Sequence, residues 1–387
     1  MTPDRSASAP PPSPDTPHAL LGGLTPGQFM QRHWQKKPLL IRHAWSGAVP
    51  LLSRQTLFSM AADEAVESRL IEHRATGWKL RPGPFAPRAL PPLKRPGWTL
   101  LVQGVDTHLQ AAHELLQRFR FVPDARLDDL MISWASDGGG VGPHFDSYDV
   151  FLLQLVGQRR WRIGRQDDLS LQPGMPLKIL SHFKPEEEHL LNPGDMLYLP
   201  PRWTHDGVAV GGDCMTASIG FRAPQRGGLA GELLQRMADE FEDDTLYRDP
   251  QQPATATPGA MPAELQAFAE DALKRLLAQR QMLACSLGEV MTEPKPRVWF
   301  DEPDAPWVPG PLRLDRRTRM MYDERHVFIN GESFLAAGAD ARLMRTLADQ
   351  RFLDARQVRK ASAGALELMQ DWYDAGWLQL AHPVDPV

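Results

Sequence analysis

Cysteine is almost absent from this sequence. Only Cys214 and Cys285 occur among 387 residues, which implies no disulfide framework and makes a reducing cytosol the simplest compartment. No apolar run approaches the roughly 18 residues that a membrane-spanning helix needs, so we expect no membrane segment. A basic region followed by an apolar stretch is also missing from the N-terminus, so we expect no signal peptide.

A strong excess of charge of either sign is lacking too. The formal net charge is −5, which argues against broad, sequence-independent binding to nucleic acid but is compatible with a basic protein partner. Hydrophobic residues make up 42% and charged residues 24% of the chain, as in ordinary soluble globular proteins. The length suffices for two or three domains.

What the sequence does contain is a histidine and an aspartate two residues apart, after a glycine cluster. Because residues i and i+2 of a strand point to the same face, His144 and Asp146 would aim two ligand atoms at one point. Pro143 disfavours helix at the residue before it. The apolar run at 148–156 is typical of a buried strand, which supports an extended reading of the whole segment.

A second histidine, His205, follows a turn at 192–195 and a short apolar strand at 196–200. The intervening segment is long enough for several short antiparallel strands, and a sheet closed into a barrel would bring His205 to the first pair. Two histidines and one carboxylate without cysteine favour an Fe(II) site with positions open for a co-substrate and O₂. Tetrahedral zinc is the alternative at the level of the metal.

Three segments carry a joint pattern: GGGVGPHFDSYDVFLLQLVGQRRWRIG (138–164), LNPGDMLYLPPRWTHDGVA (191–209) and SIGFRAP (218–224). Together they resemble the JmjC-type 2-oxoglutarate oxygenases, and more narrowly the bacterial ribosomal oxygenases, which hydroxylate arginine on a large-subunit ribosomal protein. The segment WQKKPLLIRHA (34–44) resembles the family's entry to the barrel. The resemblance implies that His144, Asp146 and His205 are catalytic metal ligands, with Fe(II), 2-oxoglutarate and O₂ as cofactors.

The far carboxylate of 2-oxoglutarate needs a cation, and the planar fork of arginine suits it. Arg159, Arg160 and Arg162 are the candidates, and the period of two places Arg159 with Trp161 on one face and the other two on the opposite face. The resemblance selects Arg159. The alternative is that all three are surface charges, and it is favoured for two of them.

Further contacts are predicted around the metal. The hydroxyls of Ser133, Thr216 and Ser218 are candidates to bind the co-substrate, although each could be a simple strand residue. Thr216 stands where the family pattern has asparagine, and Ala135 stands where it has serine. For a guanidinium substrate, the candidates are Asp137, Tyr148 and Asp149, whose other reading is turn capping and core packing.

The predicted fold is mainly β with α: a double-stranded β-helix, that is a jelly-roll or cupin-like JmjC barrel, then a helical segment and a winged-helix-like α+β C-terminal domain. The expected divisions are a disordered N-terminus, the barrel, the helical segment and the last domain, at 1–17, 18–224, 225–296 and 297–387. The apolar stripes of the helical segment are compatible with packing on the barrel or with a dimer interface. The resemblance favours a homodimer.

The leading functional hypothesis is therefore a cytoplasmic protein hydroxylase that modifies the β-carbon of an arginine in a ribosomal protein. Histidine hydroxylation and lysine demethylation on the same fold are enzyme alternatives. A non-catalytic metal-binding interaction module is an alternative of a different class. A nucleic-acid regulator is a third possibility, suggested by the winged-helix-like end, but the net charge and the resemblance favour no direct sequence-specific contact with nucleic acid.

Overall fold

The structure, a computed structural model, describes residues 11–45, 51–75 and 77–381. The helices within these residues are α1 Pro26–Arg32, α2 Arg54–Met60, α3 Val105–His108, α4 Gln110–Gln117, α5 Arg226–Glu240, α6 Ala263–Ala278, α7 Arg280–Thr292, α8 Gly338–Gln350, α9 Ala355–Val358 and α10 Ala363–Asp374. The strands are β1 Leu39–Ile41, β2 Ser68–Arg74, β3 Gly77–Pro82, β4 Trp98–Val102, β5 Leu127–Ala135, β6 His144–Phe145, β7 Val150–Gly164, β8 Glu187–Leu191, β9 Met196–Leu199, β10 Thr204–Phe221, β11 Leu312–Leu314, β12 Met320–Tyr322, β13 His326–Ile329, β14 Glu332–Leu335, β15 Phe352–Leu353 and β16 Leu378–Leu380.

A large antiparallel sheet is the main element of the first half of the chain. Its strand order is β1-β9-β7-β10-β5-β4-β2-β3, with β6 paired to β10 and β8 paired to β7. The two longest strands, β7 and β10, pair with each other along most of their length. The pairing register shifts between Val210 and Met215, opposite Gly157, whose positive φ of 66° permits a close approach to the backbone of Asp213.

The core of the sheet is aromatic on one face. Fully buried side chains there include Trp98, Trp134, Phe151, Tyr198 and Phe221, so the β-branched and aromatic runs of the sequence do form buried strands. The expected antiparallel β architecture is confirmed.

Local signals in the sequence account for several element boundaries. Thr25 caps the start of α1: its hydroxyl accepts a hydrogen bond from the Gln28 N–H at 3.1 Å, and the Gln28 side chain accepts one from the Thr25 N–H. Of the segment predicted to be disordered, residues 1–10 lie outside the described residues. Within the described part, the Pro14 carbonyl accepts a hydrogen bond from Gly27 N–H at 2.9 Å.

Two local features divide the elements in the second half of the chain. The segment 262–290 contains two helices, α6 and α7, because the backbone of Gln279 leaves helical geometry with ψ at 74°. The Asn330-Gly331 turn closes a hairpin between β13 and β14.

The chain divides into two compact units. The first comprises the chain up to Ala223, the segment Lys295–Arg317 and the chain from Asp349 onward; it contains the large sheet and a three-stranded sheet of β15, β11 and β16. The second comprises Pro224–Pro294 and Thr318–Ala348. The domain boundaries predicted at residues 17, 224 and 296 remain predictions. Each compact unit combines segments that are far apart in the sequence, so the two units do not test those boundaries. Within the described residues, no helix combines the length and the apolar character required to cross a bilayer.

In the second unit, α7 packs against the three-stranded sheet of β12, β13 and β14. Gly288 lies directly against the ring of Phe328, where a side chain would not fit. Glu289 is buried and accepts a hydrogen bond from Ser333 at 2.6 Å, and it pairs with Arg236 at 3.3 Å. These contacts satisfy a buried carboxylate and fix α5 and α7 to the sheet.

Candidate metal centre

Three side chains from two parts of the sequence come together beside the large sheet. His144 in β6 and His205 in β10 are direct cross-strand partners, and their ring centroids lie 4.2 Å apart. Asp146 follows β6, with its Oδ2 atom 3.6 Å from Nε2 of His205. One possible ligand atom from each residue lies within 4.8 Å of the others. The convergence expected from the sequence is therefore present.

Both imidazole rings are oriented in the same way. Nδ1 of His144 lies 2.9 Å from the carbonyl oxygen of Gly142, and Nδ1 of His205 lies 2.9 Å from the carbonyl oxygen of Trp203. Each Nδ1–H thus donates to the backbone, which leaves the lone pair on Nε2 for a metal. Burial, together with the neighbouring His144, lowers the pKa of His205 to about 4, so that ring is a neutral ligand near pH 7.

The backbone around the ligands is tightly constrained. Gly142 has a positive φ of 80°, and a Cβ atom there would lie 2.7 Å from Ile179 and 2.8 Å from Trp78. Only glycine fits, and its carbonyl is the group that orients His144. The Arg202 N–H donates to the carbonyl of Asp146 at 2.7 Å, which ties the turn before β10 to the aspartate.

A cavity of about 280 Å³ opens beside these ligands. Residues of the central strands line it together with charged residues of both signs; the lining includes Arg69, Asp128, Asp129, Met131, Ser133, Val141, His144, Asp146, Tyr148, Leu152, Arg159, Trp161, Leu177, Lys178, His205, Thr216 and Ser218. A mixture of apolar walls and a few convergent polar groups is typical of a small-ligand site.

Of the three candidate arginines, only Arg159 faces this cavity. Arg160 pairs with Glu188 at 3.2 Å and Arg162 pairs with Asp206 at 2.5 Å, on the opposite face of β7. The side chain of Arg159 is 3% exposed, and its Nε and Nη2 atoms have no hydrogen-bond acceptor among the described residues. A buried guanidinium without an acceptor is costly, so this arrangement fits an anionic ligand.

All three hydroxyl candidates line the cavity. The Ser133 hydroxyl lies 3.4 Å from the carbonyl oxygen of Thr216, which is a long and weak contact. Thr216 donates to Oε1 of Gln154 at 2.9 Å, so its hydroxyl hydrogen is already used and only its lone pairs face a ligand. Ser133, Thr216 and Ser218 therefore lie where a co-substrate contact was predicted. Thr216 can only accept a hydrogen bond from a ligand, because its own hydroxyl hydrogen is donated to Gln154.

The three substrate candidates are placed differently from one another. Tyr148 lies at the cavity mouth with 38% of its surface exposed. Burial and the adjacent Asp146 raise the pKa of Tyr148, so its hydroxyl stays protonated. Asp137 does not line the cavity; its carboxylate accepts the Gly211 N–H at 2.8 Å instead.

Asp149 is the clearest correction. Its side chain is completely buried and accepts hydrogen bonds from Tyr198 at 2.6 Å and from Gln35 at 3.0 Å, with Arg126 at 3.3 Å. It is not among the residues that line the cavity. A carboxylate that satisfies three partners in the core cannot serve a substrate at the mouth.

Two sets of cavity residues were not singled out from the sequence. Asp129 and Met131 share a strand face with Ser133, so the period of two along β5 could have identified them. Trp161 shares its face with Arg159 in the same way. Asp128 also lines the cavity. The period of two does not predict this, because neighbouring residues of a strand point to opposite faces.

Comparison with known proteins adds an independent line of evidence. Residues 114–229 match the JmjC domain family, and residues 310–379 match the ROXA-like winged helix family. The ribosomal protein uL16 3-hydroxylase of Escherichia coli is 35% identical over 292 residues, which cover 73% of this chain and 76% of that protein. A probable ribosomal oxygenase of Haemophilus influenzae is 36% identical over 231 residues, covering 59% of this chain and 55% of that protein.

Solved structures are similar over nearly the whole chain. An X-ray structure of Escherichia coli YcfD superposes with a TM-score of 0.80 at 28% identity, covering 91% of this chain and 97% of that chain. A structure of the YcfD ribosomal oxygenase in complex with cobalt and 2-oxoglutarate gives a TM-score of 0.78 at 29% identity, covering 92% and 98%. The predicted JmjC jelly roll with a C-terminal winged helix is confirmed.

Proposed function

Because the chain belongs to the ribosomal oxygenase family of JmjC proteins, we propose that it hydroxylates an arginine side chain of ribosomal protein uL16 at the β-carbon, with Fe(II), 2-oxoglutarate and O₂. One observation carries this proposal: the ligand atoms of His144, Asp146 and His205 lie within 4.8 Å of one another in a cavity that also holds the unpaired Arg159. A metal site beside a buried cation fits a metal-chelating dicarboxylate.

The donor set fits iron by its chemistry. Two imidazoles and a carboxylate are the usual facial ligands of non-haem Fe(II) and leave coordination positions open. When bound, Fe(II) with 2-oxoglutarate and O₂ supplies the oxidising power that converts a C–H bond to C–OH, with succinate and CO₂ released.

The chain itself supplies binding and orientation. The carbonyls of Gly142 and Trp203 hold the two imidazoles with Nε2 free. Arg159 neutralises the far carboxylate of the co-substrate, and the apolar wall at Leu152 and Met131 keeps water out of the cavity.

The cavity mouth suits a cationic substrate side chain. Asp128 lines it together with the ring of Tyr148, and a carboxylate with an aromatic face is the kind of group that recognises a guanidinium. Asp129 also lines the cavity, but it is buried and its carboxylate already accepts hydrogen bonds from Gln103 and from the Gly104 N–H. Lys295 places its ammonium 2.7 Å from Asp128, so a substrate guanidinium would share that carboxylate with Lys295. The E. coli relative is named a 3-hydroxylase of uL16, and we extend that substrate to this chain.

The decisive experiment is anaerobic incubation of the protein with Fe(II), 2-oxoglutarate and purified uL16, followed by air. We expect uL16 to gain the mass of one oxygen atom, with an equal amount of succinate. His144→Ala should abolish both, whereas His189→Ala, a histidine in β8 that pairs with Glu187, should leave them unchanged. Absence of both products with the metal and 2-oxoglutarate bound would remove the proposal.

The same experiment separates the enzyme alternatives. Drosophila relatives named bifunctional lysine-specific demethylase and histidyl-hydroxylase NO66 are 24% identical over 198 residues, which cover 49% of this chain. If fragment masses place the added oxygen on a histidine of uL16, histidine and not arginine is the residue that the enzyme hydroxylates. Lysine demethylation would instead release formaldehyde without a stable gain of oxygen.

A homodimer and a cytoplasmic location complete the proposal. Helix α6 exposes Leu265, Leu273 and Leu277, and such apolar side chains at helical spacing suit burial against a second copy. A ribosomal substrate implies that the enzyme works in the cytoplasm.

A further inference from the structure

Trp161 is a buried donor without an acceptor. Its side chain is 5% exposed and lines the cavity, yet its indole Nε1–H has no hydrogen-bond partner among the described residues. Buried tryptophan N–H groups usually find an acceptor, because leaving one unpaired costs as much as losing a hydrogen bond. The acceptor expected here is therefore a ligand of the cavity.

The strand register places this tryptophan between the metal ligands and Arg159. Along the pair of β7 and β10, His205 lies opposite Ile163, Gly207 opposite Trp161, and Ala209 opposite Arg159. The Trp161 ring lies 5.8 Å from the ring of His205, and the Arg159 guanidinium lies 5.7 Å from the Trp161 ring. Along β7 the indole therefore lies between Arg159 and the residue that is paired with His205.

The position of the indole is set by the β10 backbone. A Cβ atom on Gly207 would lie 2.5 to 2.8 Å from Cζ3, Cη2 and Cε3 of Trp161, so the six-membered part of the ring packs directly on the backbone at Gly207. Nε1 belongs to the five-membered part of the ring and is not among the three atoms nearest to that contact. Gly207 thus provides the space that fixes the ring in this position.

We propose that the Trp161 Nε1–H donates to the far carboxylate of 2-oxoglutarate beside Arg159, as a second co-substrate contact. The proposal rests on the proposed function. Three buried N–H donors without acceptors, Nε and Nη2 of Arg159 and Nε1 of Trp161, line one cavity, and a carboxylate with two oxygens and several lone pairs satisfies them together.

The test measures binding rather than turnover. Mn(II)-loaded protein is titrated by calorimetry with 2-oxoglutarate and with 2-oxopentanoate, which has the same keto-acid end and carbon chain length but no far carboxylate. Trp161 is replaced by 3-benzothienylalanine, which keeps the ring shape and substitutes sulfur for N–H, and by Trp161→Phe. Trp134→Phe is the matched control, since Trp134 is buried on the opposite face of β5 and its Nε1 already donates to Asp213 at 2.7 Å.

We expect the dissociation constant for 2-oxoglutarate to rise about tenfold in both Trp161 variants, because a hydrogen bond to a charged group is lost. The constant for 2-oxopentanoate should not change, and Trp134→Phe should match the wild type. Equal weakening of both ligands, or no weakening in the benzothienyl variant, would overturn the contact with the far carboxylate while leaving the proposed function intact. Failure of the wild type to bind 2-oxoglutarate at all would instead remove the proposed function, and this inference with it.

Discussion

At the scale of single residues, the site depends on which polar groups have partners and which do not. Arg160 and Arg162 have carboxylates on the outer face of β7, whereas Arg159 and Trp161 keep buried donors unpaired inside the cavity. The unpaired donors favour a ligand with acceptor atoms. A buried N–H without an acceptor costs free energy, and a ligand that accepts its hydrogen bond removes that cost.

Arg159→Met should raise the KM for 2-oxoglutarate by about ten- to a hundredfold, because charge-assisted hydrogen bonds to the far carboxylate are removed. Steady-state kinetics with varied 2-oxoglutarate measures this. Arg160→Met is the control, since it removes the same charge from the outer face of the same strand. Equal effects of the two substitutions would contradict the assignment of Arg159.

Gly142→Ala should weaken metal binding by about tenfold or more, because the new Cβ meets Ile179 and Trp78 and displaces the carbonyl that orients His144. Titration of the protein with Co(II) measures the change. Gly138→Ala is a matched control, because Gly138 also has a positive φ, 69°, but nothing lies within 4 Å of its Cβ position. A similar loss in both variants would mean that backbone strain, not the clash, is responsible.

At the scale of elements, a buried carboxylate connects helix α3 to strand β5. Asp106 accepts the N–H of Leu130 at 2.8 Å and is 5% exposed. Burial and the nearby Asp129 raise the pKa of Asp106 to about 7. The folded protein therefore holds this proton more tightly than the unfolded chain, in which the pKa is about 3.9.

The raised pKa predicts a pH dependence of stability. The contribution of Asp106 is fully present below pH of about 4 and is lost as the pH rises towards 7, at up to about 1.4 kcal/mol per pH unit between the two pKa values. Asp106→Asn keeps the acceptor for Leu130 and removes this titration, so the variant should gain unfolding free energy relative to the wild type between pH 5 and pH 8.

Urea unfolding at the two pH values measures this difference. Asp371→Asn, on the exposed side of α10, is the control and should follow the wild type. If Asp106→Asn also follows the wild type at both pH values, Asp106 does not titrate in this range.

At the scale of the whole molecule, the proposed homodimer can be tested through α6. Leu273→Glu and Leu277→Glu together should convert a dimer to a monomer, because two charges would be buried in an apolar interface. Light scattering after size-exclusion chromatography measures the mass. Lys274→Glu, on an exposed side chain between them, is the control and should remain dimeric. A monomeric wild type at micromolar concentration would contradict the dimer.

The sequence by itself determined what depends on short-range geometry. The period of two in a strand aligned His144 with Asp146 and separated Arg159 from Arg160 and Arg162. The choice among chemically similar groups depended on contacts between strands that are far apart in the sequence.

Only the tertiary structure decided that His205 lies opposite His144 in a strand pair. It also decided that Asp149 accepts hydrogen bonds from Tyr198 and Gln35 in the core. The lack of an acceptor for the indole N–H of Trp161 among the described residues is likewise visible only there. The physical reason is that a strand pattern fixes which face a side chain occupies, but not what lies opposite that face. That depends on how β7 and β10 pair and on what the rest of the fold packs against them.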